Sequence, residues 1–126
     1  MRPATRTALL AFLTDAAVVL VFVLIGRASH DEHPVLGALI TYWPFFVALM
    51  VGWVLARAWK SPLAVLRSGV PIWVTTVALG MVLRVLGDQG VQWSFVIVTS
   101  VVLAVFLLGW RAVARLVTAR RRARAS

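Results

Sequence analysis

Apolar residues fill four long stretches of the chain, and polar residues collect between them. The stretches are residues 8–26, 36–56, 70–86 and 93–113. A helix of about 20 apolar residues spans the hydrocarbon core of a bilayer; the third stretch is short by that measure. Backbone amides in lipid must bond within their own segment, so each stretch is expected to be helical. The connections are brief: residues 27–35, a basic segment at 57–69, and the turn "GDQG" at 87–90. Short connections make consecutive helices antiparallel neighbours. The pattern predicts an all-α, polytopic membrane protein. Residues 1–126 form one four-helix bundle with a basic tail over 114–126, and no internal repeat relates the two hairpins.

Composition strengthens this picture. The chain is 62% hydrophobic and only 13% charged, with a mean hydropathy of +0.95. A soluble domain is nearer about 45–50% apolar and about 25% charged. The first stretch reads as a retained span, because it exceeds the apolar core of a usual leader peptide and Asp15 interrupts it. The absence of cysteine excludes disulfides, thiolate metal sites and cysteine nucleophiles. No glycine-rich phosphate loop, nucleophile elbow or zinc signature is present. Neither an enzyme nor a cofactor is expected.

The net charge of +9 would suggest nucleic acid in a soluble protein. Here the basic residues flank the apolar stretches, so topology explains them and no nucleic-acid partner is expected. Eleven of the thirteen, Arg2, Arg6, Arg57, Lys60, Arg67, Arg111, Arg115, Arg120, Arg121, Arg122 and Arg124, fall on one side. Arg27 and Arg84 fall on the other, with Asp31, Glu32 and Asp88. The positive-inside rule then places both termini in the cytoplasm, as in the inner membrane of a prokaryote. So lopsided a split argues against insertion both ways up. The tail "RRRAR" from Arg120 is expected to anchor the fourth helix and touch anionic lipid. Trp59, Trp73, Trp93 and Trp110 lie near stretch ends, where indoles favour the headgroup level. Trp43 and Trp53 lie further in and read as packing residues.

Asp15 is the residue that most needs a reason. A charge near the middle of a span costs about 2.5–3.5 kcal/mol on insertion scales, so it should face other helices. Thr14, Tyr42, Thr75, Thr76, Thr99 and Ser100 lie at comparable depth. They define a candidate intramembrane polar site, with Asp15, Thr76, Ser100 and Tyr42 at its centre. Two readings stand beside each other. Intramembrane carboxylates mark proton- or ion-coupled pathways; they also serve as polar glue between helices. In the second case Asp15→Asn should be as stable as the parent.

Arg27, His30, Asp31 and Arg84 form a candidate outer-mouth site. The arginines either hold an anion or pair with Asp31, Glu32 or Asp88, since arginine favours planar two-point pairing with carboxylates. Thr76, Gly80 and Arg84 step by four and share a helix face. His30 to His33 place four potential ligands in a row, but Pro34 disfavours a helical turn there, and no metal site is expected. Ala48, Gly52 and Ala56 form a small-residue ladder that suits close helix contact. Pro44 should loosen the second helix, leaving a carbonyl for a neighbouring polar side chain.

The segments "DAAVVLVFVLIGRASHDE", "YWPFFVALMVGW", "VTTVALGMVLR" and "FVIVTSVVLAVFLLGWR" together resemble an uncharacterised family of short four-span prokaryotic membrane proteins. That family is known only by a domain-of-unknown-function label. The resemblance implies a four-helix membrane protein. It draws attention to Asp15, Gly26, Arg27, His30, Trp43, Pro44, Gly80, Arg84, Gly109, Trp110 and Arg111, and brings no activity with it. Two functions remain open. One is a small transporter or channel-like protein, with Asp15 as coupling group and Arg27 and Arg84 at the mouth. Four short helices rarely enclose a path, so it implies a homo-oligomer. The other is a non-transporting accessory or assembly protein that binds other membrane proteins.

Overall fold

The structure is a computed structural model and describes residues 1–27 and 34–125. It is all-α, with no strand among the described residues. Four helices make the fold: α1 (Pro3–Arg27), α2 (Pro34–Ala56), α3 (Val70–Leu86) and α4 (Trp93–Ala125). All four are long and apolar enough to cross a membrane once α3 is joined to the turn before it. The protein is therefore a multi-pass membrane protein. Both chain ends lie on the side that carries most of the basic residues, here called the basic end.

Two bounds differ from the sequence expectation for physical reasons. The short third stretch is lengthened by a π-helical turn, Val65–Gly69, which runs straight into α3. Together they give 22 residues, enough to span. The fourth helix does not end with its apolar stretch but continues through the basic tail to Ala125. Alanine, arginine, leucine and valine dominate that extension and no glycine or proline interrupts it, so helix propagation meets no obstacle. A short 3-10 turn, Ala58–Lys60, completes the connection between α2 and α3.

Each helix packs on its neighbour in the chain, and α4 closes back on α1. The α2–α3 pair is close because Gly52 lies against the α3 backbone: a Cβ there would sit 3.2 Å from Ile72 Cα and 3.2 Å from Thr75 Cβ. The small-residue ladder is thus used inside the bundle. Gly80 has the same purpose toward Phe45, whose ring carbon would lie 2.6 Å from an added Cβ. Pro44, buried within α2, cannot donate to Ile40. That carbonyl instead accepts from Gln89 Nε2 at 2.9 Å, so the turn after α3 supplies the bond that proline withholds.

The inward positions of every helix step by four. They are Ala11, Asp15, Val19, Val23 and Arg27 on α1, and Thr41, Phe45, Leu49 and Trp53 on α2. On α3 they are Ile72, Thr76, Gly80 and Arg84, and on α4 Phe95, Thr99, Leu103, Leu107 and Arg111. Apart from the end residues Arg27, Thr41, Arg84 and Phe95, all of them are buried. Positions four apart form one ridge of a helix surface, and each step advances about 6 Å along the axis. Residues on the other faces, such as Leu13, Ile25, Val54 and Val105, are exposed and apolar, as lipid-facing positions require.

Candidate functional site

Asp15 sits at the foot of these ridges with no exposed surface. Its partner is Arg111 of α4, which donates from Nη1 to Oδ1 and from Nη2 to Oδ2, both at 2.7 Å. Two indoles complete the set. Trp53 Nε1 donates to Oδ2 at 2.7 Å and Trp110 Nε1 to Oδ1 at 2.8 Å. Each carboxylate oxygen thus takes two donors. Arg111 is equally occupied: its Nε donates to the Pro62 carbonyl at 2.9 Å, and Nη1 also donates to the Leu107 carbonyl at 3.0 Å. Its guanidinium carbon lies 4.7 Å from the centre of the Trp110 ring. This is the only ion pair among the described residues.

Helix geometry explains how residues from different depths meet. Side chains lean toward the N-terminus of their own helix. The α1 N-terminus is at the basic end and the α4 N-terminus at the opposite end. Asp15 therefore leans toward the basic end, and Arg111 leans away from it into the bundle. Gly69 makes room for the arginine stem, since a Cβ at 69 would lie 3.2 Å from Arg111 Cδ and 2.8 Å from Leu108 Cδ2. The pair brings opposite charges together, which removes the expense of an isolated charge in lipid.

The other members of the expected polar layer are dispersed. Tyr42 Oη donates to the Ala16 carbonyl at 2.8 Å, tying α2 to α1. Ser100 Oγ donates to its own helix at Val96, while its carbonyl accepts from Trp73 Nε1 at 2.9 Å. Thr76 and Thr99 are fully buried, and their hydroxyls have no partner among the described residues. Neither these residues nor Tyr42 bonds to Asp15. The tryptophans also divide differently from expectation. Trp73 and Trp110 are inter-helix donors, while Trp43 is 41% exposed and covers Gly87. Trp59 and Trp93 remain at helix ends, exposed.

At the opposite end, Arg27 and Arg84 line one cavity of about 210 Å³. Phe22, Val23, Gly26, Thr41 and Phe95 make up the rest of its wall. Arg27 Nη1 donates to Thr41 Oγ1 at 3.2 Å, and a methyl on Gly37 would collide with Arg27 Nη2. Arg84 donates from Nη1 to Gln89 Oε1 at 3.0 Å and from Nε to the Gly90 carbonyl at 3.3 Å. It also lies 4.4 Å above the Phe95 ring centre. Asp88, in the left-handed region at φ 59°, pairs with neither arginine. His30 and Asp31, with Glu32 and His33, lie outside the described residues.

These contacts change the reason for the importance of Arg84 without removing it. Arg84 clasps the α3–α4 turn through an amide, a carbonyl and a ring. Arg84→Leu should cost about 1–2 kcal/mol, from hydrogen bonds and a cation–π contact. Arg124→Leu, on an exposed stretch of α4, should stay within about 0.5 kcal/mol of the parent. Melting curves of the two variants in the same detergent check the ranking; equal losses would contradict it.

A family model described as a protein of unknown function, DUF3054, matches residues 12–114. Comparison with curated proteins and with solved structures gives no match.

Proposed function

The chain belongs to that family of unknown function, and from its own geometry we propose that it is a small anion-binding membrane protein of the transporter class. The observation that carries this reading is the convergence of Arg27 and Arg84, from α1 and α3, on one cavity. No carboxylate among the described residues neutralises either guanidinium. The walls are mostly apolar, and in such surroundings charge attraction is less screened than in water. Arginine offers planar pairs of donors that suit carboxylate and phosphate oxygens, and the Thr41 hydroxyl adds a neutral one. The size of the cavity favours a small inorganic or organic anion. In this reading the protein lies in the inner membrane of a prokaryote, and the Arg27–Arg84 end faces outward.

Asp15 has a different part from that of an open coupling group. With all four donors in place, each carboxylate oxygen is committed within the bundle and none is turned toward a path. We assign the Asp15–Arg111 pair to closure of the bundle toward the basic end. Val19, Leu49, Leu103 and the unpartnered hydroxyls of Thr76 and Thr99 lie between that closure and the cavity. The same sealed centre favours the second reading, a non-transporting accessory protein whose bundle is locked for binding partners.

Purified protein titrated with chloride, phosphate and small carboxylates should show anion-dependent thermal stabilisation. Arg27→Gln and Arg84→Gln should each weaken it by about tenfold, the effect of losing one charge-assisted contact. Reconstituted vesicles should then show saturable anion flux. Binding without flux would favour the accessory reading, and absence of any anion-dependent stabilisation would overturn the site itself.

A further inference from the structure

The connection between α2 and α3 forms a second cationic site, unrelated to the cavity at the opposite end. It begins at Arg57, whose backbone is left-handed at φ 49°, ψ 47°. Helices often close on a residue in this conformation, but it is usually glycine, because a Cβ is disfavoured there. The 3-10 turn then carries Lys60, and the π-helical turn carries Arg67. A cavity of about 230 Å³ is lined by Ala56, Arg57, Lys60, Ser61 and Arg67. Three cations line it, and no carboxylate does among the described residues.

This connection is held in shape from several sides. Ser68 Oγ donates to the Ser61 carbonyl at 2.6 Å, and Gly69 N to Ala64 O at 3.0 Å. Arg111 binds the Pro62 carbonyl. Ala58 and Ser68 are fully buried. By contrast, no side-chain hydrogen bond or ion pair occupies Arg57, Lys60 or Arg67 among the described residues. The frame is fixed and its cations are unspent. Beside them in the chain Trp59 and Leu66 turn outward, 48% and 81% exposed; an indole at a span end favours the headgroup level.

We propose that this cup binds the phosphodiester of an anionic phospholipid in the leaflet at the basic end. The three cations would take the phosphate oxygens, while Trp59 and Leu66 lie against the acyl chains. Inorganic phosphate offers the same oxygens but nothing for the apolar flank, so the arrangement favours the lipid. The site is defined by the fold, unlike a general attraction of the α4 extension for a negative surface.

The test uses the full chain in a neutral detergent, titrated separately with dioleoyl phosphatidylglycerol, dioleoyl phosphatidylcholine and inorganic phosphate. Thermal stability and lipid retention in native mass spectrometry are the readouts. Only phosphatidylglycerol should raise the melting temperature. The Arg57→Gln/Lys60→Gln/Arg67→Gln variant should lose about tenfold or more in apparent affinity, given the strength of each basic contact at a lipid surface. Arg120→Gln/Arg121→Gln/Arg122→Gln removes the same charge from α4 and should keep most of the affinity. If the first triple variant does not fold, Arg67→Gln alone, at an exposed position, should show a smaller loss of the same kind. Equal losses in the two triple variants, an unchanged Arg57/Lys60/Arg67 or Arg67 variant, or full stabilisation by inorganic phosphate would each overturn the proposal.

Discussion

Arg111→Met should be among the most destabilising single substitutions in this protein, and Asp15→Leu added to it should cost far less than Asp15→Leu does alone. Removing one partner of a buried ion pair leaves the other charge uncompensated, at about 3–5 kcal/mol. Here the stranded group would be a carboxylate with no exposed surface and only two indole donors left. Substituting both partners with apolar residues removes that charge. It does not restore the parent, because Trp53 and Trp110 then lose their acceptor, at about 1–3 kcal/mol for each buried donor left unpaired. The double variant should therefore lie between the parent and the sum of the singles, with a coupling of at least about 2 kcal/mol, well outside the ~0.5 kcal/mol within which independent sites add. Asp15→Asn should also lose about 3–5 kcal/mol, since it leaves a buried guanidinium without a counter-charge. This reverses the near-neutral outcome expected of Asp15 as simple polar glue. Unfolding in mixed micelles, followed by tryptophan fluorescence, gives the four corners of the cycle. Additive effects at positions 15 and 111 would remove the pair from the account.

The architecture was legible because lipid leaves so few choices. Four apolar stretches, short connections and a one-sided charge distribution lead to a four-helix bundle with little room for alternatives. Even the fate of the Ile40 carbonyl could be anticipated, since Pro44 had to leave it free and a polar side chain had to come. The partner of Asp15 was not anticipated. Arg111 ends the fourth apolar stretch, where positive charge has a sufficient explanation as a membrane anchor of the basic end. Depth along the sequence placed Thr76, Tyr42 and Ser100 nearer to Asp15 than Arg111. That reading left out the length and lean of an arginine, which carries its charge well away from its own Cα.

A signal was nevertheless present. Thr76, Gly80 and Arg84 form one ridge stepping by four. The same step on α4 runs from Phe95 through Thr99, Leu103 and Leu107 to Arg111, and on α1 it contains Asp15. Extending the ridge on every helix would have put Asp15 and Arg111 on inward faces. It would not have shown that Trp110, one residue before the ridge, turns its indole into the same cluster. That depends on side-chain direction, which spacing does not determine. Nor does the sequence show that Arg84 would clasp Gln89 and Gly90 in place of an acid, because the choice rests on the path of the four-residue turn. That the helices of Arg27 and Arg84 end on the same side follows from the sequence; their meeting in one cavity depends on how α1 and α3 pack.

The two indoles should differ in their contribution although each donates one bond to Asp15. Trp53 is 7% exposed, packs edge-on against Phe12 at 5.4 Å between ring centres, and donates at 2.7 Å. Trp110 is only half-buried, and its ring lies along the groove formed with Val18, Val21, Val105 and Phe106. Phenylalanine keeps an aromatic ring at either place but deletes the N–H. A hydrogen bond to a charged group contributes about 1.5–3 kcal/mol, and Trp53→Phe should lose the upper part of that range, since no water is at hand to take over and the smaller ring leaves space behind it. Trp110→Phe should lose the lower part, because a partly open position admits a replacement water and phenylalanine still presents a face to the Arg111 guanidinium. The indole N–H resonances give an independent check on the folded protein. Both should lie downfield of an indole bonded to water, and both should move when Arg111 is replaced by methionine, because the shared carboxylate is the acceptor in each bond. If Trp53→Phe and Trp110→Phe melt together with the parent, or if neither resonance responds at position 111, then the indoles only pack beside Asp15 and Arg111 carries the carboxylate alone.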